Sequence, residues 1–409
     1  MLQKVIALIF DGLGDRPLPE LGGKTPLEAA ATPNFDYLAA QGETGLMHTL
    51  GRGVRPGSDV SHLAIFGYPP QEYYTGRGPI EAAGLGIELQ SGDIALRGNF
   101  ATVDADWNIL DRRAGRISDT GPFAAALDGL IIDGIEFIVK PGTGHRAGVI
   151  LRGKGLSSKI TDADPHSGDE PVSQVRPLEE SPGAHFTATI INKFMKQSSD
   201  ILHNMLLNRE RLEQGLLPAN FLLLRGAGIF PSFPSFAEKY GFNACCIAGG
   251  GLYRGIGAFL GMDLLDSPGA TAMPDTNLAG KFRTALAALE KYDFVFLHIK
   301  AADSLGEDGN YAGKRDFLAE ADRHLAALVE GLDQETLLLI AADHSTPCQL
   351  KAHSADPVPV LFYGPGVRTD EVTSFGERAC TKGGLGFIEG KDLMPQILNL
   401  LGRLHLLGA

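Results

Sequence analysis

The chain has 409 residues, room for two domains or for one core that carries a large insertion. Apolar residues make up 44% and charged residues 21%, the texture of a soluble globular protein. A net charge of −13 argues against broad nucleic-acid binding, and no apolar stretch reaches the length of a membrane span.

The first predicted element is a strand. Val5-Ile6-Ala7-Leu8-Ile9-Phe10 is a continuous apolar run, as expected where a parallel strand is covered on both faces. The run is too short and too weakly charged at its start for a signal peptide, and Asp11 follows it directly, so a cytoplasmic protein is expected. Thr32-Pro33 opens a helix, with Thr at the N-cap and Pro at the first helical position, and Gly42 closes it. Gly57-Ser58-Asp59-Val60-Ser61-His62-Leu63 is a second loop-to-helix junction, with Ser58 at or just before the helix start.

From about Ile80 the texture changes. Short alternating runs (93–100, 135–140, 148–152) separated by Gly- and Asp-rich turns precede a helix over 182–197 and a second over 201–214 that leads back to the core. This is the pattern of a mixed α+β unit. After Pro218 strands and helices alternate: strands at 221–224, 245–248, 294–299, 337–342 and 358–363, helices at 235–240, 253–261, 315–332 and 393–401. The expected fold is therefore α/β, a doubly wound, mostly parallel sheet formed by residues 1–79 and 216–409, with an inserted α+β domain over 80–215. The 52 glycines and 24 prolines show no period and mark tight turns. Cys245, Cys246, Cys348 and Cys380 have neither disulfide-framework nor zinc spacing and read as reduced thiols.

In open α/β sheets the reactive residues gather beyond the carboxyl ends of strands. Asp11, Asp303, the pair Asp343-His344 and, ten residues beyond Asp343, His353 all follow predicted strands. Such acids and histidines at one sheet edge make the ligand set of a two-metal phosphoryl-transfer site. Singly each has an ordinary explanation: Asp11 as a turn residue, 343–347 as an N-cap cluster, His353 as a loop histidine. Together they are more specific, because the ordinary explanation must then hold several times independently. Ser58 is the candidate nucleophile, since a helix N-terminus favours an anionic phosphate and a bound cation lowers a hydroxyl pKa. Taken alone, Gly57-Ser58-Asp59 is an ordinary N-cap sequence. Phosphate and carboxylate recognition calls for arginine forks. The candidates are Arg77, Arg112, Arg113, Arg116, Arg146 and Arg225, several of them flanked by glycine, which lets a ligand approach the backbone.

Residues 10–17 (FDGLGDRP), 56–68, 74–83 (YTGRGPIEAA), 97–104 (RGNFATVD), 111–116, 145–156 (HRAGVILRGKGL), 162–166, 217–228 (LPANFLLLRGAG) and 343–359 together resemble the archaeal type of cofactor-independent phosphoglycerate mutase. The resemblance runs in order through nearly the whole chain. It implies an alkaline-phosphatase-like metal domain with an inserted substrate domain, and interconversion of 3-phosphoglycerate and 2-phosphoglycerate through a phosphoserine on Ser58. It implies one metal held by Asp11, Ser58, Asp343 and His344, and another held by Asp303, His353 and a third ligand. The glycerate is to be gripped through His145 and the arginines. The superfamily usually has Asp-x-x-x-His in the second site, and this chain has Asp303-Ser304-Leu305-Gly306-Glu307. Glu307 as the third ligand suits two ions of Mn²⁺ or Mg²⁺ and tilts the preference away from Zn²⁺, with Zn²⁺ or Co²⁺ as alternatives; the other reading of this departure is a weakened second site, with mutase activity reduced or replaced by another reaction. A small-molecule substrate is expected, with no nucleic acid and no membrane, in a monomer or small homo-oligomer.

The alternative on the same core is a metal-dependent phosphatase or phosphonate hydrolase, in which water replaces glycerate. A kinase is disfavoured, since the chain has no G-x-x-x-x-G-K-[ST] loop and no kinase signature set. A binding protein that merely keeps the fold is disfavoured by the joint presence of Asp11, Ser58, Asp343, His344 and His353.

Overall fold

The computed structural model describes residues 2–165 and 170–408, so His166, at the end of the 162–166 stretch, lies outside the described residues. The chain divides into a core unit, Met1–Tyr74 with Pro234–Ala409, and an inserted unit, Thr75–Phe233.

The core unit is built on an eight-stranded sheet. Its spatial order is 263–264, 244–247, 294–299, 4–10, 336–342, 358–363, 43–48 and 386–389. Lys4–Phe10 lies near the middle because it has no polar face to turn to water: every residue after Lys4 is buried. It pairs in parallel with Phe294–Ile299 on one side and Thr336–Ala342 on the other. The register is what builds the site. Phe10 stands opposite both Ile299 and Ala342, so three strands end level with one another. Parallel pairing holds on the 244–299 side, whereas Val358–Tyr363 runs antiparallel to both Thr336–Ala342 and Glu43–His48.

The inserted unit carries an antiparallel sheet in the order 109–111, 94–103, 146–152, 135–141, 130–132, with Phe221–Ile229 paired to Ile94–Val103. The long helix Pro182–Asn204 lays Ile190, Ile191 and Phe194 into its core, where Phe194 stacks on Phe137 with ring centroids 4.1 Å apart.

The main correction concerns the boundaries. Phe221–Ile229 does not join the core sheet; it pairs antiparallel with Ile94–Val103, so the return crossing falls at 233/234 instead of 215/216. The outgoing crossing falls at 74/75, because Arg77–Gly84 packs on that same inserted sheet. An apolar run tells that a strand is buried, not which sheet buries it. The helix expected over 182–197 runs on to Asn204, and the next one, Leu206–Glu213, is short. The break has a side-chain cause: Asn208 Nδ2 donates to Leu202 O at 2.8 Å and to Ala219 O at 3.0 Å, tying the helix end to the chain entering the 221–229 strand. Thr32 does sit at the N-cap of Pro33–Gln41, but its side chain accepts no capping hydrogen bond.

Candidate metal and nucleophile site

Because the strands 4–10, 294–299 and 336–342 end in register, Asp11, Lys300 and Asp343 emerge side by side at one edge of the core sheet. The helix Ala301–Glu307 starts immediately after its strand and sets Asp303 in its first turn. Gly12 has φ +63°, and a Cβ there would lie 2.7 Å from the Asp303 Cα. Only glycine lets the Asp11 loop approach so closely, and left-handed backbone costs other residues about 1–2 kcal/mol as well. Ser58 is the first residue of the helix Ser58–Ile65, preceded by Gly57 at the N-cap. His62 Nδ1 donates to Ser58 O at 2.7 Å, which fixes the serine's backbone.

Two groups of ligand atoms result, Asp11 with Asp343 and His344, and Asp303 with His344 and His353, each drawn together within 4.8 Å. Ser58 Oγ lies 3.2 Å from His344 Nε2, and Asp11 Oδ1 and Asp343 Oδ2 each lie 3.3 Å from that nitrogen. Asp11 Oδ1 and Asp343 Oδ2 are buried and accept no hydrogen bond from the described residues. Buried carboxylate oxygens left without donors are costly unless a cation faces them. Oxygen donors of this charge, joined by imidazole nitrogen, suit divalent metal ions, so the residues fit the metals that the sequence implies. Glu307 stands at the rim, its side chain 51% exposed and its Oε1 3.9 Å from His353 Nε2.

The histidines are oriented by their second nitrogens. Thr346 Oγ1 donates to Asp303 Oδ1 at 2.7 Å and is therefore the acceptor for His344 Nδ1–H at 3.1 Å, which turns Nε2 toward Ser58. Pro56 O accepts from His353 Nδ1 at 2.9 Å, which turns the other nitrogen toward Asp303 Oδ1, 3.5 Å away.

Sequence reasoning missed four further side chains here. Lys300 Nζ donates to Asp303 Oδ2 at 2.6 Å and reaches Asp11 Oδ2 at 3.4 Å. Tyr253 OH donates to Asp11 Oδ2, its ring stacked 3.5 Å from that of His298. Thr346 links the two ligand groups. Lys300 was findable, since it follows a strand directly as Asp11 does. Tyr253 and His298 lie inside a helix and a strand, where the sequence pattern says only that they are buried.

Burial opposes charge throughout the site, and the neighbours decide the outcome. Burial raises Asp11, but His298, His344 and Lys300 outweigh it and hold the carboxyl well below its usual range. Burial and the charge of Asp11 push its partner Asp343 up. Burial would lower His344, yet Asp343 and Asp11 draw it up to about 9. Burial presses His298 down to about 3, so it stays neutral. A site that raises a histidine and confines two carboxylates is one in which added positive charge is favoured.

The arginine candidates all lie in the inserted unit. Two carboxylates organise three of them. Arg112 Nη2 donates to both oxygens of Asp164, and Arg225 Nη1 stands 3.7 Å from the same group. Glu81 takes Arg77 at 3.3 Å and Arg97 at 2.8 Å, and Arg97 is the strand neighbour of Arg225. Burial first, then Arg146, Arg113 and Arg225, lowers the His145 imidazole, so the three arginines form a positive cluster around a neutral histidine. Arg116 is exposed in left-handed backbone, φ 60°, at the end of the 111–116 turn. Cys245, Cys246, Cys348 and Cys380 are free and buried, and burial raises each thiol, to about 12 for all but Cys246, which is raised further.

The sequence profile of 2,3-bisphosphoglycerate-independent phosphoglycerate mutase matches residues 39–208. The protein of that name from Methanocaldococcus jannaschii (its mutase 1) is 46% identical over 99% of both chains. The corresponding protein from Archaeoglobus fulgidus is 48% identical over 99% of this chain and 100% of its own. Among solved structures, a cofactor-independent phosphoglycerate mutase from Thermoplasma acidophilum superposes with a TM-score of 0.78 at 36% identity, covering 98% of this chain and 100% of that one.

Proposed function

Because the chain belongs to the family of 2,3-bisphosphoglycerate-independent phosphoglycerate mutases, we propose that its core site carries the phosphoryl group between the two hydroxyls of glycerate by way of Ser58. The enzyme interconverts 3-phosphoglycerate and 2-phosphoglycerate without 2,3-bisphosphoglycerate. The observation that carries the Ser58 reading is the meeting of Ser58 Oγ, His344 Nε2 and the donor-less oxygens of Asp11 and Asp343 at the N-terminus of one helix.

Asp11, Ser58, Asp343 and His344 would hold one divalent ion, and Asp303, His353 and Glu307 the other. Mn²⁺ or Mg²⁺ is the proposed occupant, because three of the side chains are aspartates and Glu307 adds a fourth carboxylate. When bound, such ions neutralise the transferring phosphoryl group and make the serine hydroxyl easier to ionise. The rest falls to the protein. The backbone N–H groups at the start of Ser58–Ile65 and the helix dipole favour the incoming anion. Lys300 adds a positive charge fixed between Asp11 and Asp303.

Ser58 Oγ forms a bond to phosphorus as the bond from phosphorus to the C3 oxygen of glycerate breaks, and the serine's proton ends on that departing oxygen. The C2 hydroxyl then attacks the phosphoserine, its proton returns to Ser58, and 2-phosphoglycerate leaves. His145 with Arg77, Arg113, Arg116, Arg146 and Arg225 is the proposed grip on the glycerate carboxylate and hydroxyls. Water must not reach the phosphoserine in the interval, or the product is free phosphate.

The test is an enolase-coupled assay of Mn²⁺-loaded protein with 3-phosphoglycerate, without 2,3-bisphosphoglycerate, beside a free-phosphate assay and Ser58→Ala. The expected result is isomer formation with little phosphate release, both lost by at least about a thousandfold in Ser58→Ala. Phosphate without isomer would move the chain to hydrolysis. Isomer formation that survives Ser58→Ala would remove the phosphoserine.

A further inference from the structure

The helix that carries Ser58 is fastened at both ends to the places where the chain leaves and re-enters the core unit. The chain leaves after Tyr74 and returns at Pro234. At the helix start, Tyr74 OH donates to Asp59 Oδ2 at 2.8 Å, and Asp59 is the residue next to Ser58. The other Asp59 oxygen accepts from Val60 N at 3.0 Å, and the side chain is buried, 8% exposed. With both oxygens engaged, this carboxylate completes the first helical turn, where the dipole favours it. Beyond the helix end, Tyr68 N donates to Leu63 O at 2.8 Å, and Tyr68 OH donates to Pro234 O at 3.0 Å. Lys239, five residues past the return crossing, donates to Gly67 O and stands 4.2 Å from the centre of the Tyr68 ring. An eight-residue helix is thus held by the outgoing crossing at one end and by the returning one at the other.

Packing alone does not demand this. Tyr74 is half-buried at the edge of its unit, and a Phe ring would fill the same space without the hydroxyl. What the hydroxyl adds is a directional link from the last core residue before the insertion to the residue beside the nucleophile. We propose that Tyr74 is a positioning residue for Ser58: through Asp59 it sets the aim of the serine. This rests on the reading of Ser58 given above. A serine aimed less well transfers more slowly, and its phosphorylated form is presented less accurately to the glycerate hydroxyl, so water captures a larger share.

The experiment compares wild type, Tyr74→Phe, Asp59→Ala and the double variant, all as full chains loaded with Mn²⁺. The readouts are kcat and KM for 3-phosphoglycerate, phosphate released per isomer formed, the melting temperature, and amide hydrogen exchange over residues 58–65. Tyr74→Phe is expected to lower kcat about tenfold, with KM within about twofold of wild type. Phosphate per isomer should rise about threefold or more, and amides of residues 58–61 should exchange about fivefold faster, while the melting temperature falls by only about 2 °C. The double variant should be no slower than Asp59→Ala, because both substitutions remove one link. Unchanged kcat, unchanged phosphate ratio and unchanged exchange in Tyr74→Phe would overturn the proposal, as would a double variant whose losses multiply. If wild type itself forms no isomer, the proposed reaction fails, and the Tyr74 link stands or falls on the exchange of residues 58–61 alone.

Discussion

The two units of this protein handle charge in opposite ways. In the core unit the acids are buried together: Asp11, Asp303 and Asp343 are each at most 1% exposed, and two of their oxygens have no hydrogen-bond donor among the described residues. In the inserted unit a cluster of arginines stands partly open to solvent, and Glu81 and Asp164 hold arginines in place by direct ion pairs. The proposed division of work between the units follows this contrast. Buried acids that keep oxygens without a donor would make a site whose properties depend on the cation it receives. Tethered arginines make a surface already formed for an anion, whose failure should show as weak binding and leave the chemistry intact.

The largest test of that division is Asp343→Asn. It should lower activity by about a thousandfold or more and weaken Mn²⁺ binding measured by calorimetry, because a buried ligand oxygen is lost. Arg225→Met should act in the other unit alone, raising KM for 3-phosphoglycerate about ten- to hundredfold while Mn²⁺ binding stays as in wild type. If Arg225→Met also abolished metal binding, the division of labour would be wrong. Thr346→Val is subtler. It keeps the shape but removes the hydroxyl that orients both His344 and Asp303, and Mn²⁺ affinity should fall about tenfold.

The smallest effect concerns a charge outside the site. Glu377 accepts hydrogen bonds from Asp15 N and Thr25 Oγ1, and burial pushes its carboxyl up from 4.5 to about 7. The folded protein therefore holds this proton more tightly than the unfolded chain. Stability from this group is present below pH 4.5 and is lost as pH rises through about 7. In Glu377→Gln the melting temperature should lose that part of its pH slope, a change of about 2 °C over the window. A slope identical to that of wild type would show that Glu377 titrates normally.

Much of the core site was legible because its signal is local. An apolar run followed at once by Asp11, or by Asp343-His344, states both a buried strand and a polar residue at its end. Asp303 and His353 needed the further assumption that their strands end at the same edge, which the register of Lys4–Phe10 with its two neighbours now supplies. The superfamily's Asp-x-x-x-His pattern points to Glu307 as a ligand, and the structure puts it at the rim, with Oε1 3.9 Å from His353 Nε2. The arginines were a looser inference. Arg225 and Arg146 gather around His145, whereas Arg77 is engaged by Glu81 one helical turn away.

The sequence by itself determined the kinds of elements and most of their positions, because apolar period, helix caps and turn residues act over a few neighbouring residues. It also determined the chemistry available at the strand ends. Tertiary structure alone decided that Phe221–Ile229 belongs to the inserted sheet, that Thr346 joins His344 to Asp303, and that Tyr74 reaches Asp59. Each of these is a meeting of groups whose partner is chosen by sheet register and packing, and neither is encoded in the residues nearby.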